Sequence, residues 1–262
     1  MDKYRLLTIS AAAAAMLSLS GCGMLGKTQW NPDYLAGAAS NALTAMTLSN
    51  AQVIELSRQS VVLMDKENKV NTGAYKKRLD KLMEGITEVE GVKLNLKVYE
   101  TQEVNAFACG DGSIRVYSGL MDVMDDDQLI AIIGHEIGHV MHKDTKAAMQ
   151  RAYASAAARG VIAAAGGVGE VLAATAIGDI AQSFVSAQFS QKQEFAADEY
   201  GFNFAVKHGH SPYSMATALE KLVELSNAGG AKASSVAKMF SSHPDSATRA
   251  AKIRQKADAY RK

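Results

Sequence analysis

The run Leu129-Ile130-Ala131-Ile132-Ile133 leads into His135-Glu136-Ile137-Gly138-His139, and no other stretch of the 262-residue chain limits its fold so tightly. On a helix, positions i and i+4 share a face, so both imidazoles can reach one metal ion. Glu136, one residue on, points along the rim, where it can hold and deprotonate a water. The apolar run makes this a buried helix, and two histidines and a glutamate are expensive to bury without a task. Asp125-Asp126-Asp127 stands at its start, favourable to the helix dipole, so the sequence predicts a helix from Asp126 to about Lys143.

A second polar pair follows at a distance. Glu194 and Asp198 are also spaced i, i+4, within a helix predicted over about Gln191 to Lys207. Zinc in a hydrolase usually takes three protein ligands and leaves a fourth position for water. His135, His139 and Glu194 make such a set. Asp198 then suits a carboxylate that orients a ligand imidazole through its other ring nitrogen.

The N-terminus speaks to location. Lys3 and Arg5 precede an uncharged run from Leu6 to Leu19, too short to span a membrane but suited to a signal peptide. Leu19-Ser20-Gly21-Cys22 resembles the bacterial lipobox, which implies cleavage before Cys22 and its acylation. Gly23 in the next position favours the outer membrane of a Gram-negative envelope, with the protein facing the periplasm. The expected organisation is a signal peptide over 1–21, a lipid-anchored tether over 22–46 and one catalytic domain over 47–262.

Charge supports a lipid attachment. Lys and Arg number 28 against 27 Asp and Glu, so no basic footprint for nucleic acid exists. Loss of residues 1–21 removes Asp2, Lys3 and Arg5 and leaves the chain formally neutral. Attachment must then come from lipid, not from a basic surface. Two cysteines cannot frame a disulfide scaffold or a four-thiolate zinc site. With Cys22 acylated, Cys109 stands alone and is expected to be buried.

The periodicity describes an α+β chain, mostly helical. Ser49 is a plausible N-cap for a helix that continues through Met64, and a second helix is predicted from about Thr72 to Val89, with Leu79, Leu82, Met83 and Ile86 on one face. Val92, Leu94, Leu96 and Val98 alternate with polar residues, as in a half-buried strand. Val104–Ala108 and Ser113–Tyr117 flank the turn Cys109-Gly110-Asp111-Gly112. Residues 152–187 are rich in Ala and Gly, but Arg159, Glu170 and Asp179 break them into pieces too short to span a membrane, so they read first as closely packed small-residue helices and second as a mobile flap. Ser211-Pro212 starts a helix through Leu225, Asn227 to Ser235 reads as a flexible loop, and His243-Pro244 opens a last helix to about Tyr260. His142 reads as a surface residue, and His208 and His210 as solvated loop residues.

HEIGH, then EFAAD some fifty residues later, then a late His-Pro, resembles the HtpX-like gluzincin metallopeptidases, family forty-eight of that catalogue. The resemblance covers roughly Leu48 to Tyr260. It implies a zincin-like minigluzincin fold with a small sheet beside the active-site helix. It implies a zinc endopeptidase with one Zn(2+) per chain, held by His135, His139 and Glu194, and Glu136 as general base. The family also carries a His-Pro with a later Arg, which makes His243 and Arg249 candidate donors to the oxyanion. His243 could instead close over zinc as a fourth ligand in a resting state. Val104-Asn105-Ala106-Phe107 resembles the strand that pairs with extended substrate, which makes Asn105, Ala106 and Phe107 substrate-binding candidates. Implied partners are unfolded or misassembled envelope proteins as substrates, together with other envelope proteases or assembly machinery. The rival reading is an assembly factor for outer-membrane proteins with a silent or latched zinc site.

Overall fold

The structure, a computed structural model, describes residues 31–164 and 176–260. The signal-peptide and lipobox expectations, Cys22 included, lie outside the described residues. Among the described residues no helix is long and apolar enough to cross a membrane.

Part of the expected tether is helical. Helix α1 (Pro32–Thr47) starts with Pro32 in its first turn, and the Asn31 side chain accepts from the backbone N–H of Asp33. Its Ala38 is buried against Gly160, whose missing side chain lets the two backbones come close. Helix α2 (Asn50–Glu67) has the expected cap in Ser49, and Gln52 returns the hydrogen bond to the cap backbone.

The sheet that follows has four strands in the order β1 (Val70–Asn71), β4 (Asn95–Tyr99), β6 (Ser113–Tyr117), β5 (Ala106–Ala108). β4 runs parallel to β6, and β5 pairs antiparallel with β6 at the edge. Helix α3 (Ala74–Leu82) is shorter than predicted, and Ile86 lies outside it. Gly85 takes a positive φ of 78°, which ends the helical path before the small hairpin of β2 (Glu88–Val89) and β3 (Val92–Lys93).

The two faces of the sheet feed two cores. Val98, Ala106, Ala108, Ile114 and Val116 join the main core. Tyr99, Phe107, Tyr117 and Cys109 join a second one on the other face, with α2, α6 (Asp144–Ala164) and α7 (Ala176–Val185). Alternation along each strand makes this division. Cys109 is free and fully buried, and burial pushes its thiol pKa well up, as suits a packing role.

The helix bearing His135 is α5 (Asp126–Met141), preceded by the short α4 (Ser118–Val123). Asp125 caps α5 and exchanges hydrogen bonds with Gln128. Across it packs α8 (Gln191–Lys207), capped in the same way by Ser190 and Gln193. Helices α9 (Ser214–Asn227), α10 (Gly230–Ser242) and α11 (Ser246–Tyr260) complete the main core. α10 corrects the sequence reading, which took Asn227–Ser235 for a loop. Gly229-Gly230 and the serines hide the helix, and its buried anchors Val236 and Met239 come only after them.

Candidate metal centre

Three glycines bring α5 and α8 together. A Cβ on Gly138 would stand 2.9 Å from the Cβ of Tyr200, and one on Gly134 2.8 Å from the Cβ of Phe204. From the opposite side, a Cβ on Gly201 would stand 2.6 Å from the Ala131 carbonyl oxygen. No other residue allows this approach, which sets the histidine pair of α5 against Glu194 and Asp198 of α8.

The resulting cluster is His135, His139, Glu194 and His243, all buried, with one ligand atom from each lying within 4.8 Å of the others. His135 Nε2 is 3.0 Å from His139 Nε2 and 3.3 Å from His243 Nδ1. Glu194 Oε1 is 3.1 Å from His243 Nδ1 and 3.4 Å from His139 Nε2, and Glu194 Oε2 is 3.7 Å from His135 Nε2. Ligand atoms about 2.0–2.2 Å from a tetrahedral zinc ion stand roughly 3.3–3.5 Å apart, so this donor set fits that ion.

Charge points the same way. Burial pushes the Glu194 carboxyl up, but the charge of His243 and hydrogen bonds from His139 and His243 outweigh it and hold the group far below the carboxylate range. Burial would lower His139, yet Asp144 and Glu194 outweigh burial and raise it to about 9. For His135 burial wins, and its pKa falls. A buried anion facing three imidazoles is a site for a cation.

Each ligand has its own support. The Asp198 carboxylate lies 2.9 Å from His135 Nδ1, although off the line of the ring N–H, so that Nδ1 stays unsatisfied. Arg249 grips Asp198 with two parallel hydrogen bonds, Nε to Oδ2 at 2.8 Å and Nη2 to Oδ1 at 2.6 Å. Its Nη1 lies 2.5 Å from Glu194 Oε2 and donates to the His243 carbonyl oxygen at 3.3 Å. Arg249 is thus buried behind the ligands, clamping two carboxylates.

Two supports escaped the sequence reading. Asp144 Oδ2 lies 2.9 Å from His139 Nδ1, and Gln193 Nε2 donates to Asp144 Oδ1 at 2.6 Å. Phe189 stacks on the His139 ring, with centroids 3.9 Å apart and 15° between the planes. The only available signal for Asp144 was an acidic residue five positions past a candidate ligand.

Glu136 and Asn105 hold free hydrogen-bonding capacity. Glu136 is buried, its Oε1 makes no hydrogen bond, and the nearest imidazole nitrogen is His243 Nε2 at 3.7 Å. Asn105, just before edge strand β5, is buried with both side-chain polar atoms unpartnered. Ala106 and Phe107 lie on β5 itself. Groups left so at high cost are characteristic of functional sites.

The remaining histidines stand apart from the cluster. His142 is exposed at the C-cap of α5. His210, expected to be solvated, is half-buried with Nδ1 2.6 Å from Asp127 Oδ1, and His208 packs on Phe204.

Residues 74–257 match the description "Peptidase family M48". The chain belongs to this family. It is 38% identical over 260 residues to "Metalloprotease LoiP" of Escherichia coli K12, an alignment covering 98% of each chain. It is 37% identical over 259 residues to "Metalloprotease YcaL" of the same organism, again covering 98% of each. It is also 30% identical over 131 residues to the E. coli "Beta-barrel assembly-enhancing protease", 47% of this chain and 26% of that relative. The M48 chain is therefore a zinc-dependent metallopeptidase, mostly helical with a small sheet, and the buried cluster is compatible with a zinc site.

Proposed function

We propose that this M48 chain is a lipid-anchored endopeptidase of the outer membrane that faces the periplasm and cuts unfolded or misassembled envelope proteins. The observation that carries the chemical part is the buried donor set of His135, His139, Glu194 and His243 beside an unpaired Glu136 oxygen. His135, His139 and Glu194 are the zinc ligands, one ion per chain. When bound, zinc supplies Lewis-acid polarisation of the scissile carbonyl and makes a water easier to deprotonate.

The rest falls to the protein. Glu136 accepts the proton of the attacking water and passes it to the leaving amine. Asp198 and Asp144 orient His135 and His139, and Arg249 holds Asp198 and Glu194 in place. With its fork committed there, Arg249 positions the ligands and does not meet the oxyanion. His243, whose Nδ1 stands among the ligand atoms, closes the site at rest and swings out to admit substrate. An extended peptide pairs along β5, and the amide of Asn105 clasps its backbone.

The location rests on the lipobox-like Leu19-Ser20-Gly21-Cys22, and the substrate class on that location and on the relative whose name ties it to β-barrel assembly. Purified protein should digest casein, and a zinc chelator or Glu136→Gln should abolish this. If wild type and variant are equally inert while both suppress aggregation, the assembly-factor reading replaces this one. A palmitate analogue should label the wild type but not Cys22→Ser, and equal labelling would remove the anchor.

A further inference from the structure

Beyond Asp33 in its first turn, α1 carries no charge. No charged residue occurs between Asp33 and Glu55. Ala38 turns toward α6, and away from it Ala36, Ala39, Leu43 and Met46 are exposed, together with the small polar Ser40 and Thr47. Leu43 and Met46 are 56% and 62% exposed. Of the six large apolar side chains exposed among the described residues, four (Tyr34, Leu43, Met46 and Ile54) fall in this charge-free stretch. A surface helix that meets only water carries charged or polar residues on its outer side. Past its first turn, the exposed positions of α1 carry no charge, and Ser40 and Thr47 are their only polar side chains, the Thr47 hydroxyl being turned back onto the Leu43 carbonyl oxygen.

We propose that this face of α1 lies in the headgroup–acyl boundary of the membrane that holds Cys22, as an interfacial helix. The proposal rests on the lipid-anchor reading. Cys22 stands ten positions before Pro32, and a chain of that length spans at most about 35 Å even when fully extended. An acylated Cys22 therefore keeps α1 within reach of the bilayer at all times, whereas a protein partner has to be met by diffusion. Leu43 and Met46 supply the apolar contact, and Trp30 and Tyr34 next to the helix start are residue types that favour the interface. The absence of Lys and Arg means that the face seeks the apolar boundary and not anionic headgroups. Lying flat on α1, the catalytic domain would hold a fixed orientation to the membrane instead of swinging on a free tether.

The test uses the lipidated protein in phosphatidylethanolamine–phosphatidylglycerol vesicles. Single cysteines replace Leu43, Met46 or, as a control, exposed Lys207, and carry an environment-sensitive fluorophore. Cys109 is buried and does not compete for the label. Nitroxide lipids labelled near the headgroup should quench the Leu43 and Met46 positions at least fivefold more than Lys207. In a protein labelled at Ala39→Cys, the paired change Leu43→Glu and Met46→Glu should abolish quenching while the protein still floats with the vesicles. Flotation with equal quenching at all positions overturns the proposal and leaves the anchor standing. Failure to float with Cys22 intact overturns both. Shielding of Leu43 that rises with protein density without lipid quenching overturns it in favour of a second copy as the occupant.

Discussion

Asp144 Oδ2 lies 2.9 Å from His139 Nδ1, so a residue just past helix α5 sets the orientation of a candidate metal ligand on that helix. Lys143, with φ of 61°, makes the reversal that brings Asp144 back. Removing the carboxylate charge should loosen the metal without unfolding the protein. Asp144→Asn is expected to weaken zinc binding about 10–100-fold. Competition against a chromophoric chelator measures this, with circular dichroism as the check on folding.

Gly201 has no room for a methyl group, because a Cβ there would meet the Ala131 carbonyl and the His135 backbone nitrogen. Gly201→Ala should force α5 and α8 apart. The overpacking is expected to cost about 1–3 kcal/mol of stability. Zinc content should fall as well, since the ligands come from both helices. A thermal melt and metal analysis on the same sample test both parts, and an unchanged melt would show that the helices have slack.

Asp65 supports the second core through charge. It accepts from Arg115 at 2.8 and 3.1 Å, from Lys97 at 2.8 Å and from the Tyr99 hydroxyl at 2.7 Å, and Arg115 is fully buried. Burial pushes the Asp65 carboxyl up, but these partners outweigh it and hold its pKa below the ordinary 3.8. The stability it contributes is therefore present above pH 3.8 and is lost as pH falls through the lower folded value. Asp65→Asn leaves Arg115 buried without its counter-charge, which should cost about 3–5 kcal/mol at neutral pH. Urea unfolding at pH 7 and near pH 3 measures both, and the gap between wild type and variant should narrow at the lower pH.

His243→Ala separates two roles for one side chain. In the proposed role of closing the resting site, His243 is dispensable for metal retention, because three proposed ligands remain. The variant should keep its zinc and cleave unfolded substrate at a kcat/KM equal to or above that of the wild type. A residue that stabilises the oxyanion would instead cost about 10²–10³ in kcat when removed.

The parts of the site that share a helical face were legible in the sequence. His135 with His139, and Glu194 with Asp198, need only the i, i+4 spacing and the apolar residues that bury each helix. The cap Ser49 was legible for the same local reason. Asp144, Phe189 and the clamp of Arg249 were not, because each depends on how a turn or a third helix folds back, and no local period records that. Helix α10 was hidden by its glycines and serines, although its packing is what delivers His243 to the cluster. The end of α3 depended on one left-handed glycine. Ile86 carried the right spacing for the helix face, and the backbone turned away from it.

Zinc held by His135, His139 and Glu194, with Glu136 as the base, is the centre of the proposed chemistry. Zinc content and peptide hydrolysis measured together on Glu136→Gln and Glu194→Ala test it most directly. Glu136→Gln should retain one zinc per chain and show no hydrolysis, and Glu194→Ala should lose both metal and activity. A Glu136→Gln protein that still cleaves, or a Glu194→Ala protein that keeps its zinc, would contradict it.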